Sequence, residues 1–259
     1  MASTSPGSGV SLPRSPQIPH MPGTQGYAVA SCHVERPLDD RVWERYRALV
    51  RRRPGGFAVA SLMRPPAGGE DPALFVSRAR EAAALGPFGH HIHWTSPTHA
   101  RPTAPDPAAA VRSEGAWLRE QGLEPRFFCG GGWYVDADVM AAVADLGYAD
   151  CTATAWRPSY LPAGAARASL DAPAWVRLDD GRRVLELPTT HSLGAAARSL
   201  TRALPRVVHV HFHDYELLEP ARRAAIAVTL AVLARRRRPL ALDQLETERE
   251  VAWADVWAG

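Results

Sequence analysis

The chain contains no lysine: all 30 of its basic residues are arginine. That absence excludes Schiff-base chemistry on a side-chain amine, a carbamylated-lysine metal bridge and a P-loop lysine. Cysteine is scarce too. Cys32, Cys129 and Cys151 share no CxxC spacing, so neither a zinc knuckle nor a disulfide framework is expected. No run of about 18 apolar residues occurs, so neither a membrane span nor a membrane partner is expected. Excess charge is also small, at +3. The Arg235–Arg238 run therefore reads as a solvated helix end, where cations complement the helix dipole, and nucleic acid is not an expected partner. Residues 1–26 are rich in Ser, Pro and Gly and lack the apolar stretch of a signal peptide. They read as a disordered leader, and a cytoplasmic location follows as the expectation.

What remains is an ordinary globular composition, 46% hydrophobic and 22% charged, over enough chain for one domain spanning 27–259. Strand-like and helix-like segments alternate along it. Tyr27–Val34 reads as a strand. Asp39 or Asp40 would cap a helix with Val42, Tyr46, Leu49 and Val50 on one face. Strands at Phe57–Met63, Gly89–Trp94 and Arg126–Cys129 are separated by helices at Pro72–Leu85 and Pro107–Gln121. Asp136 is placed to cap a helix bearing Val139, Val143 and Leu146, with Gly147 at its C′ position. A strand at Ala149–Ala153 follows. Arg157–Asp180 is aperiodic and rich in Pro and Ala, which reads as a long loop over a site. Strands at Val184–Leu187 and Val207–Phe212 bracket a helix at Gly194–Leu204, and Ala221–Arg236 is a final helix. Such a βα repeat implies a parallel sheet, open or closed into a barrel, with its chemistry at the C-terminal strand ends.

Histidine collects at those ends: Cys32-His33-Val34-Glu35, His90-His91-Ile92-His93, and His211-Phe212-His213-Asp214. Residues two apart on a strand share a face. His91 and His93 therefore point together while His90 points away. His209, His211 and His213 share another face, as do His33 and Glu35. Imidazole pairs of this kind suit Zn, Fe, Ni or Co. His20, His99 and His191 lack supporting spacing and read as ordinary residues. Cys32 and Cys129 read as packed small residues rather than nucleophiles. Gly130–Gly132 marks a close backbone approach to a ligand but lacks the spacing of a dinucleotide loop.

The order of these pieces resembles the polysaccharide deacetylase family, the NodB-homology or carbohydrate esterase 4-like proteins, over roughly 27–245. GHHIHWTSP at Gly89–Pro97 is similar to the second motif of that family. FFCGGGWYVDADVMAAVADLGYADCTA at Phe127–Ala153 resembles the third motif, LELPTTHS at Leu185–Ser192 the apolar-Pro strand end, and VHVHFHDYEL at Val208–Leu217 the final His motif. The resemblance implies a distorted seven-stranded β/α barrel and a divalent metal, usually Zn. It implies hydrolysis of the amide of an N-acylated sugar or related small molecule. Carried over by position, His91 and His93 match the metal histidines, and His213, or alternatively His211, matches the final His. The first motif departs, with His33 standing where an Asp is expected and Glu35 the nearby carboxylate. Cys129 occupies the place of the third-motif Arg. The resemblance thus implies a metal set of His33, His91 and His93 with Glu35 as base. The substrate wall would come from Trp94, Cys129, Gly131, Gly132, Trp133 and Tyr134. The same departures point to an alternative, a catalytically lost barrel that binds a ligand or regulates.

Overall fold

The computed structural model describes residues 26–94, 104–159, 161 and 164–257. The leader expected over 1–26, apart from Gly26, and both His20 and His99 lie outside the described residues.

The first half alternates strand and helix as β1 (Tyr27–Val34), α1 (Asp40–Arg52), β2 (Ala60–Met63), α2 (Pro72–Leu85), β3 (Phe88–Ile92), α3 (Pro107–Glu120), β4 (Phe127–Gly130), α4 (Ala137–Asp145) and β5 (Ala149–Asp150). The second half is less regular: β6 (Ala174–Arg177), β7 (Arg183–Glu186), β8 (His191–Ser192), α5 (Leu193–Ser199), β9 (Val207–His213), α6 (Pro220–Arg236), β10 (Arg238–Pro239), β11 (Glu250–Ala252) and α7 (Trp253–Val256). The helix starts follow their side-chain caps. Asp39 accepts from the amides of Arg41 (2.9 Å) and Val42 (3.2 Å) before α1, and Asp136 from that of Val139 (2.8 Å) before α4. Among the described residues no helix is long and apolar enough to cross a membrane.

The strands form one sheet in the order β11-β6-β7-β5-β4-β3-β2-β1-β9-β8, with β10 beside β1. Every pairing is parallel except β6 with β7. The strand ladder has two ends and does not close, which corrects the expected closed barrel. The cause is local. Pro188 carries no amide hydrogen and interrupts the chain between β7 and β8. The gap is crossed by single bonds: the amides of Leu187 and Thr189 donate to the carbonyls of Asp150 (2.7 Å) and Ala153 (2.9 Å), and that of Thr190 to His209 (3.0 Å).

The segment 157–180, expected to be all loop, contains β6. Its Ala174 and Val176 are buried while Arg177 is exposed, so a short period-two pattern was hidden in an Ala- and Pro-rich stretch. It pairs with β7 in a hairpin whose turn includes Gly181 at φ 85°.

Three apolar groups hold the molecule. On one outer layer α1, α2, α5 and α6 cover Ala28, Ala30, Cys32, Val208, Val210 and Phe212. On another, α3 and α4 cover Ile92, Phe128, Val176 and Val184. The inner face is lined by Val29, Ala60, Leu62, Phe127, Cys129, Cys151 and Leu187. Each fully buried Leu or Phe of these layers contributes roughly 1.5–3 kcal/mol. Packing inside is tight at β3: a Cβ on Gly89 would meet Leu62 Cδ2 at 2.6 Å and Phe127 Cβ at 2.8 Å.

Candidate metal centre

Register decides which histidines meet. Across β1 and β9 the partners are Val29 with His209, Ser31 with His211 and His33 with His213; across β3 and β4 His91 lies opposite Cys129. Partners in a parallel pair point to the same side. His33, His91, Cys129, His211 and His213 therefore share the inner face at the C-terminal strand ends. The His33 ring is 4.5 Å from that of His91 and 5.3 Å from those of His211 and His213, centroid to centroid. His90 faces outward, where its Nε2 lies 2.8 Å from Glu114 Oε2 on α3.

Glu35, just past β1, stands at the centre of the cluster. Its Oε2 is 2.7 Å from His93 Nε2. Its Oε1 is 3.2 Å from His91 Nε2 and 3.7 Å from His213 Nε2. Among the described residues, three donor sets have ligand atoms within 4.8 Å of one another: Glu35/His91/His93, His33/Glu35/His213 and His33/His91/Cys129. The three-imidazole set His33/His91/His93, with Glu35 apart from it, is not among these. Of His91 and His93, His33, deeper on β1, meets only His91, while Glu35, two residues on, reaches both.

Burial is severe here: His33 is 3% and His91 2% exposed. Burial, reinforced by the imidazoles of His91, His213, His211 and His209, pushes the His33 pKa well below its usual value. Burial lowers His91 too, against the opposing pull of Glu35. For Glu35 burial acts to raise the pKa, but hydrogen bonds from His91 and His93 outweigh it and hold the carboxyl well below its usual range. His211 is lowered to about 3 by burial and then by His213 and His209. The result is one carboxylate among imidazoles whose burial favours the neutral, metal-binding form.

The ring orientations are set by carbonyl acceptors behind them. His91 Nδ1 donates to the Cys129 carbonyl (3.0 Å) and His211 Nδ1 to that of His191 (3.2 Å). With a cation in place of the proton that His91 Nε2 shares with Glu35, each bond would leave Nε2 with its lone pair toward the cavity, the arrangement that orients metal-binding histidines. His209 is spent otherwise, its Nδ1 on the Leu187 carbonyl (3.1 Å) and its Nε2 on Ser31 Oγ (2.9 Å). Asp214 anchors the Glu35 turn by accepting from the Arg36 amide (2.9 Å). Burial raises its pKa to about 6. Glu35 with His91 Nε2 and His93 Nε2 facing its oxygens is a donor set that fits a divalent ion such as Zn.

Of the expected substrate wall, Trp133 reaches the centre, with its ring 5.3 Å from His33 and 4.8 Å from His211. It is held there by a left-handed backbone, φ 62°, following Gly132 at φ 63°. Strain of this kind in a non-glycine residue is tolerated where surrounding structure enforces it. Trp94 and Tyr134 do not line the centre. They pack on each other in the α3/α4 layer, and Trp94 Nε1 donates to the Gly131 carbonyl (2.9 Å), bracing the glycine turn from behind. Cys129 Sγ is 3.7 Å from His33 Nε2. Burial, then Asp150, Glu186 and Glu35, raises its thiol pKa well above normal.

Sequence reasoning missed Trp156, which stacks on His211 at 9° and 6.0 Å. It lies between the expected strand Ala149–Ala153 and the aperiodic segment that starts at Arg157, in too short a stretch to carry a pattern. It also missed the outward-facing pair Asp150 and Glu186, opposite one another on β5 and β7 and 0% and 1% exposed. Asp150 Oδ1 accepts from Thr152 Oγ1 (2.6 Å), which accepts from the Gly130 amide (2.7 Å). The pair thus supports the base of the glycine turn.

A scan of protein-family profiles finds no match, and no curated protein matches. Solved structures do match. A 4-alpha-glucanotransferase from Thermococcus litoralis is 10% identical, with a TM-score of 0.51 over 87% of this chain and 41% of its own. A family 4 carbohydrate esterase from Streptomyces lividans is 15% identical, TM-score 0.47, over 81% of this chain and 88% of its own. A polysaccharide deacetylase from Bacillus cereus is 14% identical, TM-score 0.42, over 86% and 96% respectively. At these identities the likeness is one of fold, an α/β architecture around a mainly parallel sheet.

Proposed function

We propose that this chain is a metal-dependent hydrolase of C–N bonds, deacetylase-like, acting on an N-acylated sugar or a related small amide. The observation that carries the reading is Glu35 held between His91 and His93, with Nε2–oxygen distances of 3.2 and 2.7 Å. Those three residues would hold the ion, so Glu35 serves as a ligand rather than a free base. When bound, a divalent ion such as Zn supplies Lewis acidity toward a carbonyl oxygen and lowers the pKa of water. The motif order of the sequence supports the reaction class.

The remaining groups divide by exposure. His213, with its side chain 27% exposed and Nε2 3.7 Å from Glu35 Oε1, would hand a proton to a leaving nitrogen. His211 is buried, neutral and stacked under Trp156, so it shapes the wall instead. Trp133 and Trp156 offer aromatic faces for a sugar ring. His33, standing where the family has Asp, favours the second reading, a barrel that binds its ligand without turnover.

Metal content separates these readings. Wild type should carry a divalent ion after purification or on titration, and His91→Ala/His93→Ala should not. Release of acetate from a panel of N-acetylated sugars and small amides should accompany metal and vanish in Glu35→Gln. A wild type that takes up no ion sinks the hydrolase reading; uptake without turnover across the panel favours the binding protein.

A further inference from the structure

The geometry points to a second divalent-ion position in the same cluster, formed by His33 and His213 and bridged to the first through Glu35. This inference rests on the proposed ligand role of Glu35, His91 and His93.

The argument is one of donor supply. Glu35 is approached by three imidazoles. His93 Nε2 lies 2.7 Å from Oε2, and His91 Nε2 lies 3.2 Å from Oε1. His213 Nε2 lies 3.7 Å from the same Oε1. The ligand atoms of His33, Glu35 and His213 all fall within 4.8 Å of one another, a second set beside Glu35/His91/His93. Two sets of three donors then share one carboxylate. Three protein donors plus an open position is the complement of a catalytic-type site for a metal such as Zn. A carboxylate with two oxygens can serve both sets at once.

Other uses of these imidazoles are less well served by the structure. The third donor set, His33/His91/Cys129, cannot add an ion alongside the first. His91 Nδ1 is committed to the Cys129 carbonyl and its Nε2 already faces Glu35. His213 and His33 have no such conflict, since neither belongs to the Glu35/His91/His93 set. They are partners in the β1–β9 register, so the sheet itself holds them side by side. Occupation of the second position takes His213 out of proton transfer, so the one-ion and two-ion forms differ chemically.

The test counts ions and asks whether they are neighbours. Metal-free protein prepared with a chelator is titrated with Zn(II), and bound metal is counted after gel filtration. A parallel sample is loaded with Mn(II) for electron paramagnetic resonance. Wild type should bind two equivalents, and doubly loaded Mn(II) protein should show the spectrum of a coupled pair. His33→Ala/His213→Ala should bind one equivalent with an uncoupled spectrum. His213→Gln, at a partly exposed position, covers the case in which the double variant fails to fold, and should lose the coupled signal alone. One equivalent in wild type, unchanged in His213→Gln and lost in His91→Ala/His93→Ala, overturns the second position and leaves the proposed function standing. Two equivalents without coupling overturn it as well, by assigning the second ion elsewhere. No binding at all overturns both.

Discussion

Replacing Gly130 with alanine tests whether the wall of the centre is held by close backbone approach. Gly130 ends β4 in an extended conformation, so a side chain meets no dihedral penalty there. The obstacle is steric. A Cβ would lie 2.2 Å from the Tyr134 carbonyl oxygen and 3.3 Å from Thr152 Cγ2. The first contact is about 1 Å inside ordinary carbon–oxygen distance. The blocking atom is backbone, so rotamer adjustment cannot relieve it, and the Gly131–Tyr134 turn must move. That turn carries Trp133 against His33 and His211 and receives the Trp94 bond. Overpacking of this kind costs about 2–3 kcal/mol where relaxation is poor. For a chain of this size that lowers the melting temperature by roughly 4–12 °C. Thermal unfolding of metal-free Gly130→Ala, beside Gly68→Ala as control, measures it. A Cβ on Gly68 meets nothing within 4 Å, so the control should melt like wild type. A Gly130→Ala protein that melts with the control would refute the claim that the turn is wedged against β4.

Two further outcomes follow from buried titratable groups. Asp150 and Glu186 both have raised pKa values, caused first by burial. The folded protein therefore keeps a proton that the unfolded chain has released, and this contribution is lost as pH rises from the ordinary carboxylate range through the raised folded value. Glu186→Gln should flatten that fall in melting temperature with pH, and parallel profiles for variant and wild type would count against a proton retained by Glu186. Separately, His90→Ala removes the 2.8 Å contact to Glu114 on the outer face. It should cost about 1–3 kcal/mol in denaturant unfolding while leaving metal uptake intact. Loss of metal in His90→Ala would show that alternation on β3 has been misassigned.

Much of the centre was legible from periodicity. The split of His90 from His91 follows from a repeat of two, and the structure has His90 on Glu114 and His91 on Glu35. The caps at Asp39 and Asp136 were legible because capping is local. What could not be read depends on pairing between distant strands. Asp150 and Glu186 are 36 positions apart and meet only through the β5–β7 register. Trp156 reaches His211 from the short connection after β5, outside any strand or helix pattern. β6 was lost in an Ala- and Pro-rich stretch because a four-residue strand carries too few alternations to stand out.

From its sequence alone this chain was bound to place imidazoles and one carboxylate at the ends of several strands. Strand alternation and local capping act over a few residues and need no partner. Which groups each imidazole meets was decided by the tertiary structure. Whether Glu35 is a base beside three histidines or a ligand between them depends on where β3 and β9 stop relative to β1. That is a matter of the β1–β9 and β3–β4 registers and of the close packing of Gly89 against Leu62 and Phe127. Sub-ångström placement of this kind is a property of the packed sheet, and no local pattern carries it.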